Sequence, residues 1–194
     1  MRAAAVAVIL AAITTLAGCS SALDVGYHEA SANPGRLASV APRRVAIGPI
    51  TDRRADQTRI GARPENGKAI ETSRPVADIV RDALVVELTR NGLAVVPEGG
   101  DVRVAADVDD FWLDTAHGDG STHYVGRVAL AVAIRDERGG PPVLVRRYAG
   151  INRRYADPDA KEVWREVMDT ALARTVHDLA TDPELVKALA PVNR

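Results

Sequence analysis

Apolar positions follow two rhythms along this chain, and the switches between them mark its elements. Val45 and Ile47 alternate with other residues before Gly48-Pro49, which predicts a first strand over 43–50. From Ser73 to Gly92, Val76, Ile79, Val80, Ala83, Leu84 and Leu88 recur at helical spacing. Ser73 is the expected cap, Pro75 suits the first turn, and Asn91-Gly92 supplies the stop. Leu93–Val96 follows as a short strand halted by Pro97. Period two returns at Val102, Val104, Ala106 and Val108, and then Phe111 and Leu113 continue in the opposite phase. A one-residue slip of phase predicts a bulge near Asp109-Asp110. Val128, Leu130, Val132 and Ile134 alternate within a strand over 124–136, and Glu137-Arg138-Gly139-Gly140 turns it into another over 143–155. Asp157-Pro158 opens a second helix with Trp164, Val167, Met168, Ala171, Leu172, Val176 and Leu179 on its stripe. Asp182-Pro183 repeats the signal for a short third helix through Leu189.

The predicted order is therefore β-α-β-β-β-β-α plus a short C-terminal helix. Strands that run together after one crossover describe an α+β class. The expectation is a mostly antiparallel sheet with the two main helices packed on one face, in a single domain over 43–194. Thr51–Thr72 is polar and long for a connection inside a compact domain, and such loops are usually functional or mobile. Its Arg53, Arg54, Arg59 and Arg63, with Asp52 and Gly61, are the candidate partner-binding residues. Residues 19–42 are rich in Ser, Ala, Gly and Pro without apolar period, which reads as a flexible tether, with Tyr27 and His28 solvated on it.

The N-terminus reads differently. Met1-Arg2 places a positive charge before a run, Ala3–Leu16, that is almost wholly Ala, Val, Ile and Leu. That is a secretory signal, over 1–18, and is shorter than the roughly 20 apolar residues of a membrane span. It closes on Leu16-Ala17-Gly18-Cys19, which holds the single cysteine of the chain. This tetrapeptide resembles the bacterial lipobox at every position. The resemblance implies diacylglycerol on the Cys19 thiol, cleavage between Gly18 and Cys19, and acylation of the new amine. Ser20, where an aspartate would imply retention at the inner membrane, implies the outer membrane.

The folded part resembles the YajG-type outer-membrane lipoproteins. The matching residues are the lipobox, Val45-Ala46-Ile47 with Gly48-Pro49-Ile50, Thr51-Asp52-Arg53 at the start of a polar loop, Ile60-Gly61, and Ala83-Leu84 leading into Asn91-Gly92-Leu93. The resemblance implies a lipid-anchored module without catalysis, facing the periplasm and pairing with an envelope protein. The stretch Arg44–Pro49 is also similar to the auxiliary lipoproteins of ABC-type lipid transporters, although their arginine-containing segment after the first strand is missing.

Charge and composition narrow the partners. Lys+Arg is 25 against Asp+Glu 26, a net charge of −1, which argues against a nucleic-acid binder. Aromatic residues make up 4%, too few for a base- or sugar-stacking platform. His117, Asp119 and His123 lie close enough in sequence to hold zinc, which would make the chain a metal-dependent enzyme; a hairpin connection has the same composition. Asp107, Asp109, Asp110 and Asp114 read as a solvated sheet face, and Arg146-Arg147 and Arg153-Arg154 as cross-strand partners of Asp107 and Asp109. No cofactor motif is present: Gly118-Asp119-Gly120 lacks the residues that complete a phosphate loop. Replacing Cys19→Ser is expected to release the protein from the membrane fraction with its circular dichroism unchanged; a variant that still sediments with membranes contradicts the lipobox reading.

Overall fold

The computed structural model describes residues 22–28, 37, 44–63, 65–118, 121–157 and 161–190. The signal, Gly18, Cys19 and Asp119 lie outside them. The elements are β1 (Arg44–Asp52), β2 (Gly61–Ala62), β3 (Ala69–Ile70), α1 (Val76–Arg90), β4 (Ala94–Val96), β5 (Val102–Gly118), β6 (Ser121–Asp136), β7 (Leu144–Ala156), α2 (Lys161–Thr181) and α3 (Pro183–Leu189).

The class is α+β as expected, but the sheet is mixed rather than mostly antiparallel. β5, β6 and β7 form an antiparallel meander. β1 lies parallel to β5 on one side and to β4 on the other. The physical reason is the crossover through α1, which returns the chain in its starting direction and so makes parallel neighbours. The connection from Pro97 to Asp101 then carries the chain from one side of β1 to the other. It passes so close that a Cβ on Gly100 would stand 2.8 Å from the Ala46 nitrogen. The element order also gains β2 and β3, two-residue strands inside the segment expected to be a polar loop.

The phase slip in β5 is a bulge: its register against β6 shifts between Val108 and Asp110. Before it, Val102, Val104, Ala106 and Val108 face the core; after it, Phe111 and Leu113 do. α2 covers that face of β6 and β7, and α1 packs beside it against β1 and β4. The two helices thus share one face, as expected. α2 approaches the strands closely because glycines lie beneath it. A Cβ on Gly126 would meet Val167 at 2.8 Å, and one on Gly150 would run into Ala171 and Thr175.

The caps divide. Asp182 caps α3 by accepting the Glu184 N–H at 2.9 Å, and Leu93 N–H closes α1 on the Leu88 carbonyl at 3.1 Å. Ser73 does not cap α1; Pro75 holds that position without a side-chain bond.

The tether reading of 19–42 is corrected for the part described. Leu23, Val25 and Leu37 are buried in the core. Leu23 N–H donates to the Glu71 carbonyl at 2.7 Å, and Ser73 N–H donates to the Leu23 carbonyl at 3.0 Å. Gly26 N–H donates to Asp169 at 2.9 Å. Tyr27, expected to be solvated, is half-buried and donates to Glu87, while His28 is exposed as expected. Ser73 and Asp24, side chain to side chain at 3.2 Å, add to the fastening.

Gly150→Ala should destabilise the fold by about 1–3 kcal/mol, because α2 must lift from β7. Urea unfolding checks this; an unchanged midpoint would mean that the close approach is not a constraint.

Candidate functional site

Two regions carry the candidate residues: the segment 51–72 and the face of the sheet opposite the helices. The structure divides the six residues expected to meet a partner between structural and exposed roles.

Arg54 is structural. Its side chain is only 5% exposed and makes a fork with Asp52, Nε to Oδ1 at 2.9 Å and Nη2 to Oδ2 at 2.7 Å. Nη1 donates to the carbonyls of Arg59 at 2.9 Å and Phe111 at 3.2 Å. Nη2 also reaches the Gln57 carbonyl at 3.5 Å. The planar guanidinium thereby uses its whole set of donors. Asp52 accepts the Arg54 N–H as well, and its carbonyl accepts from Gln57. The segment is consequently pinned rather than loose. Beyond it, Ile60 bonds to β3 and accepts from Leu113 N–H at 2.6 Å. Gly61 pairs with Leu113 so closely that a Cβ would stand 2.5 Å from the Leu113 carbonyl.

The other arginines are exposed or stacked. Arg53 points to the open sheet face and pairs with Asp107 at 2.6 Å. Arg59 pairs with Asp56 at 2.6 Å and lies 5.7 Å from the Trp112 ring centre. Hydrogen bonds from Thr58, then Arg59, pull Asp56 down to about 2. Arg63 lies 5.6 Å from the ring centre of the buried Trp164. These six residues therefore do not converge on one site. A cleft of about 270 Å³ opens between Arg54, Arg59, Glu71, Thr72, Ser73 and Arg74.

The open face is the larger surface. Alternation on β7 places Val145, Arg147, Ala149, Ile151, Arg153 and Tyr155 on it, all exposed. Val145 is 65% exposed and Tyr155 73%. Alanines 131 and 133 of β6 and Ala105 of β5 floor a shallow cleft beside them, rimmed by Arg53, Asp107 and Arg135. The expected ion pairing holds in part. Arg147 meets Asp109 at 3.4 Å, whereas Arg146 turns to Asp182 at 3.2 Å and Arg154 to Glu166. Arg127 bridges Asp110 and Asp114, so those acids are a charge ladder across the sheet. Arg153 has no ion-pair partner among the described residues. Among the described residues β7 bonds to β6 alone, which leaves it at the sheet margin.

His117 and His123 do not converge. His117 stands opposite Thr122 and bonds its hydroxyl at 2.9 Å, while His123 stands opposite Ala116 and stacks on Tyr155 at 4.6 Å. Positions 122 and 123 are neighbours on one strand, so their side chains leave from opposite faces. Among the described residues, no three of His, Cys, Asp and Glu gather as a metal set. The exposed apolar row of β7 went unread in the sequence, although its signal is there: Val145, Ile151 and Tyr155 fall in one phase of a period-two strand.

Buried polar groups hold the N-terminal segment. Burial raises the carboxyl of Asp169, opposed by the Gly26 N–H and by His28. Burial, then Glu87, pushes the Tyr27 phenol well above its usual value, so it remains a donor.

A fold of this kind, a mixed sheet with helices on one face, is found in the crystal structure of a Xanthomonas campestris protein of the DUF330 family. The likeness has a TM-score of 0.59 at 17% identity, over 85% of this chain and 93% of that one. A minor lipoprotein from Acinetobacter baumannii aligns with a TM-score of 0.47 at 11% identity, over 76% of this chain and 95% of that one. No curated protein matches the chain. The class is thus an α+β module, and the family follows from sequence. Residues 49–190 match a family described as uncharacterized lipoprotein, and the chain belongs to it. No helix among the described residues is long and apolar enough to cross a membrane.

Removing Arg54 should be far costlier than removing Arg53. Arg54→Met leaves Asp52 and three carbonyls without their donor and is expected to lose about 3–5 kcal/mol. Arg53→Met breaks a surface pair and should lose about 0–1 kcal/mol. Denaturant titration of both checks this, and equal losses would refute the division.

Proposed function

We propose that this protein is a lipid-anchored, non-catalytic binding module of the bacterial cell envelope, held at the outer membrane by Cys19 and facing the periplasm. The family supports the lipoprotein part, and the resemblance of the first-strand and loop residues to the YajG-type lipoproteins is what supports the finer assignment. Residues 16–19 and Ser20 support the anchor and the membrane.

The single observation that carries the binding role is the face of β5, β6 and β7 opposite the helices, which no other described element covers. Three exposed apolar side chains, Val145, Ile151 and Tyr155, stand in one row with Arg147 and Arg153. Tyrosine and arginine are enriched where proteins meet, and such a row is the usual centre of an interface. Its surplus of positive charge fits a protein surface with apolar and acidic groups. The row lies on a regular strand held by α2, so its spacing is preset and little order must be imposed on binding.

A photoreactive residue at Val145 should give an adduct with one membrane-fraction protein in cells, and Ile151→Asp should abolish that adduct without changing the melting temperature. The same probe at Lys161, on the helical side, should give none. Absence of an adduct from Val145, or identical adducts from both positions, would refute the role of this face.

A further inference from the structure

We infer that the corner of the domain built by Glu71–Arg74, with Arg59 beside it, lies on the bilayer that holds the acyl chains of Cys19; this rests on the anchored reading above. A free tether would leave the domain without a preferred face. The structure removes most of that freedom. Leu23 is buried, and two backbone hydrogen bonds fasten it to Glu71 and Ser73. Cys19 stands four residues before Leu23. At no more than about 3.6 Å per residue, the lipid is bound within about 14 Å of that point. The headgroup layer is itself about 5–7 Å deep, so the bound leaves little room between bilayer and domain.

The cleft of about 270 Å³ opens at this same corner, and its wall includes Glu71, Thr72, Ser73 and Arg74. Its chemistry suits a zwitterionic phospholipid headgroup. Arg59 and Arg74 are cations with side chains 40% and 49% exposed, each paired with a surface aspartate. Such pairs are weak and exchange readily for a phosphate. Glu71 is exposed beside them and matches an ammonium group. The opposite end of the molecule is far away. Gly61 pairs with Leu113, Asp136 pairs with Val102, and the length of β5 between those pairs is about 35 Å. Val143 lies at that distal end, its N–H on the Ile134 carbonyl at 2.8 Å.

The test uses the lipidated protein in phosphatidylethanolamine/phosphatidylglycerol vesicles, with a fluorophore on Glu71→Cys or on Val143→Cys and a spin label on lipid headgroups. Acylated Cys19 does not react, so each label is unique. The Glu71 label should lose most of its fluorescence and the Val143 label almost none. A long Gly/Ser insert between Ser21 and Ala22 should erase the contrast while the protein still floats with vesicles. Equal quenching at both positions in floating protein, or contrast unchanged by the insert, overturns the orientation alone. Protein that does not float at all overturns the anchor, and the orientation with it.

Discussion

One buried guanidinium holds together the part of the sheet on which everything at the N-terminal corner rests. β5 has two neighbours along a single edge, β1 beside its first half and β2 beside its second. Between them the strand bulges at Asp109, and carbonyls there would lack donors. Arg54 fills the gap: it binds the Phe111 carbonyl across the sheet and the Arg59 carbonyl along its own segment, with Asp52 neutralising it. An unpaired charge in that position would be costly, and an apolar side chain would leave the carbonyls bare. The fork also fixes where Ile60 enters the sheet, and through Ile60 and Ile70 it fixes Glu71 and Thr72. Leu23 docks on those residues. A chain of contacts thus leads from the bulge in β5 to the docked segment at Leu23.

Much of this fold was legible as period. The slip from Val108 to Phe111 gave the bulge, Gly139-Gly140 gave the β6–β7 turn, and Asp182-Pro183 gave the α3 cap, because each is a local rule. Pairing is not local. Nothing in Val45-Ala46-Ile47 says that the strand lies between β4 and β5, so parallel pairs went unread. Two-residue strands such as Gly61-Ala62 carry no period at all. Ser73 looked like a cap because it precedes Pro75, yet its N–H and hydroxyl serve Leu23 and Asp24 instead.

The candidate site was legible in the same uneven way. Arg53 and Arg54 are neighbours of identical chemistry, and burial alone separates the exposed one from the structural one. Residues 22–28 read as tether from their composition, since Leu23 and Val25 are two apolar positions without a repeat. Their burial comes from a groove made by distant residues, Thr72 and Asp169 among them. The arginines of β7 were noticed as pairs along the sequence. Their meaning lies in alternation: one member of each pair turns to an acid on a helix or its cap, while the other joins the open row.

An anchored domain with a docked N-terminal segment differs from one on a leash in a single physical respect. On the reading proposed above, the docked segment would set the face towards the bilayer and leave the open sheet face to a partner. Hydrogen exchange of the backbone amides of Leu23 and Gly26 in the lipidated protein tests this most directly. The account predicts protection comparable with amides in the middle of α2, because both N–H groups are bonded across the fold. Exchange at the rate of an unstructured chain would contradict it.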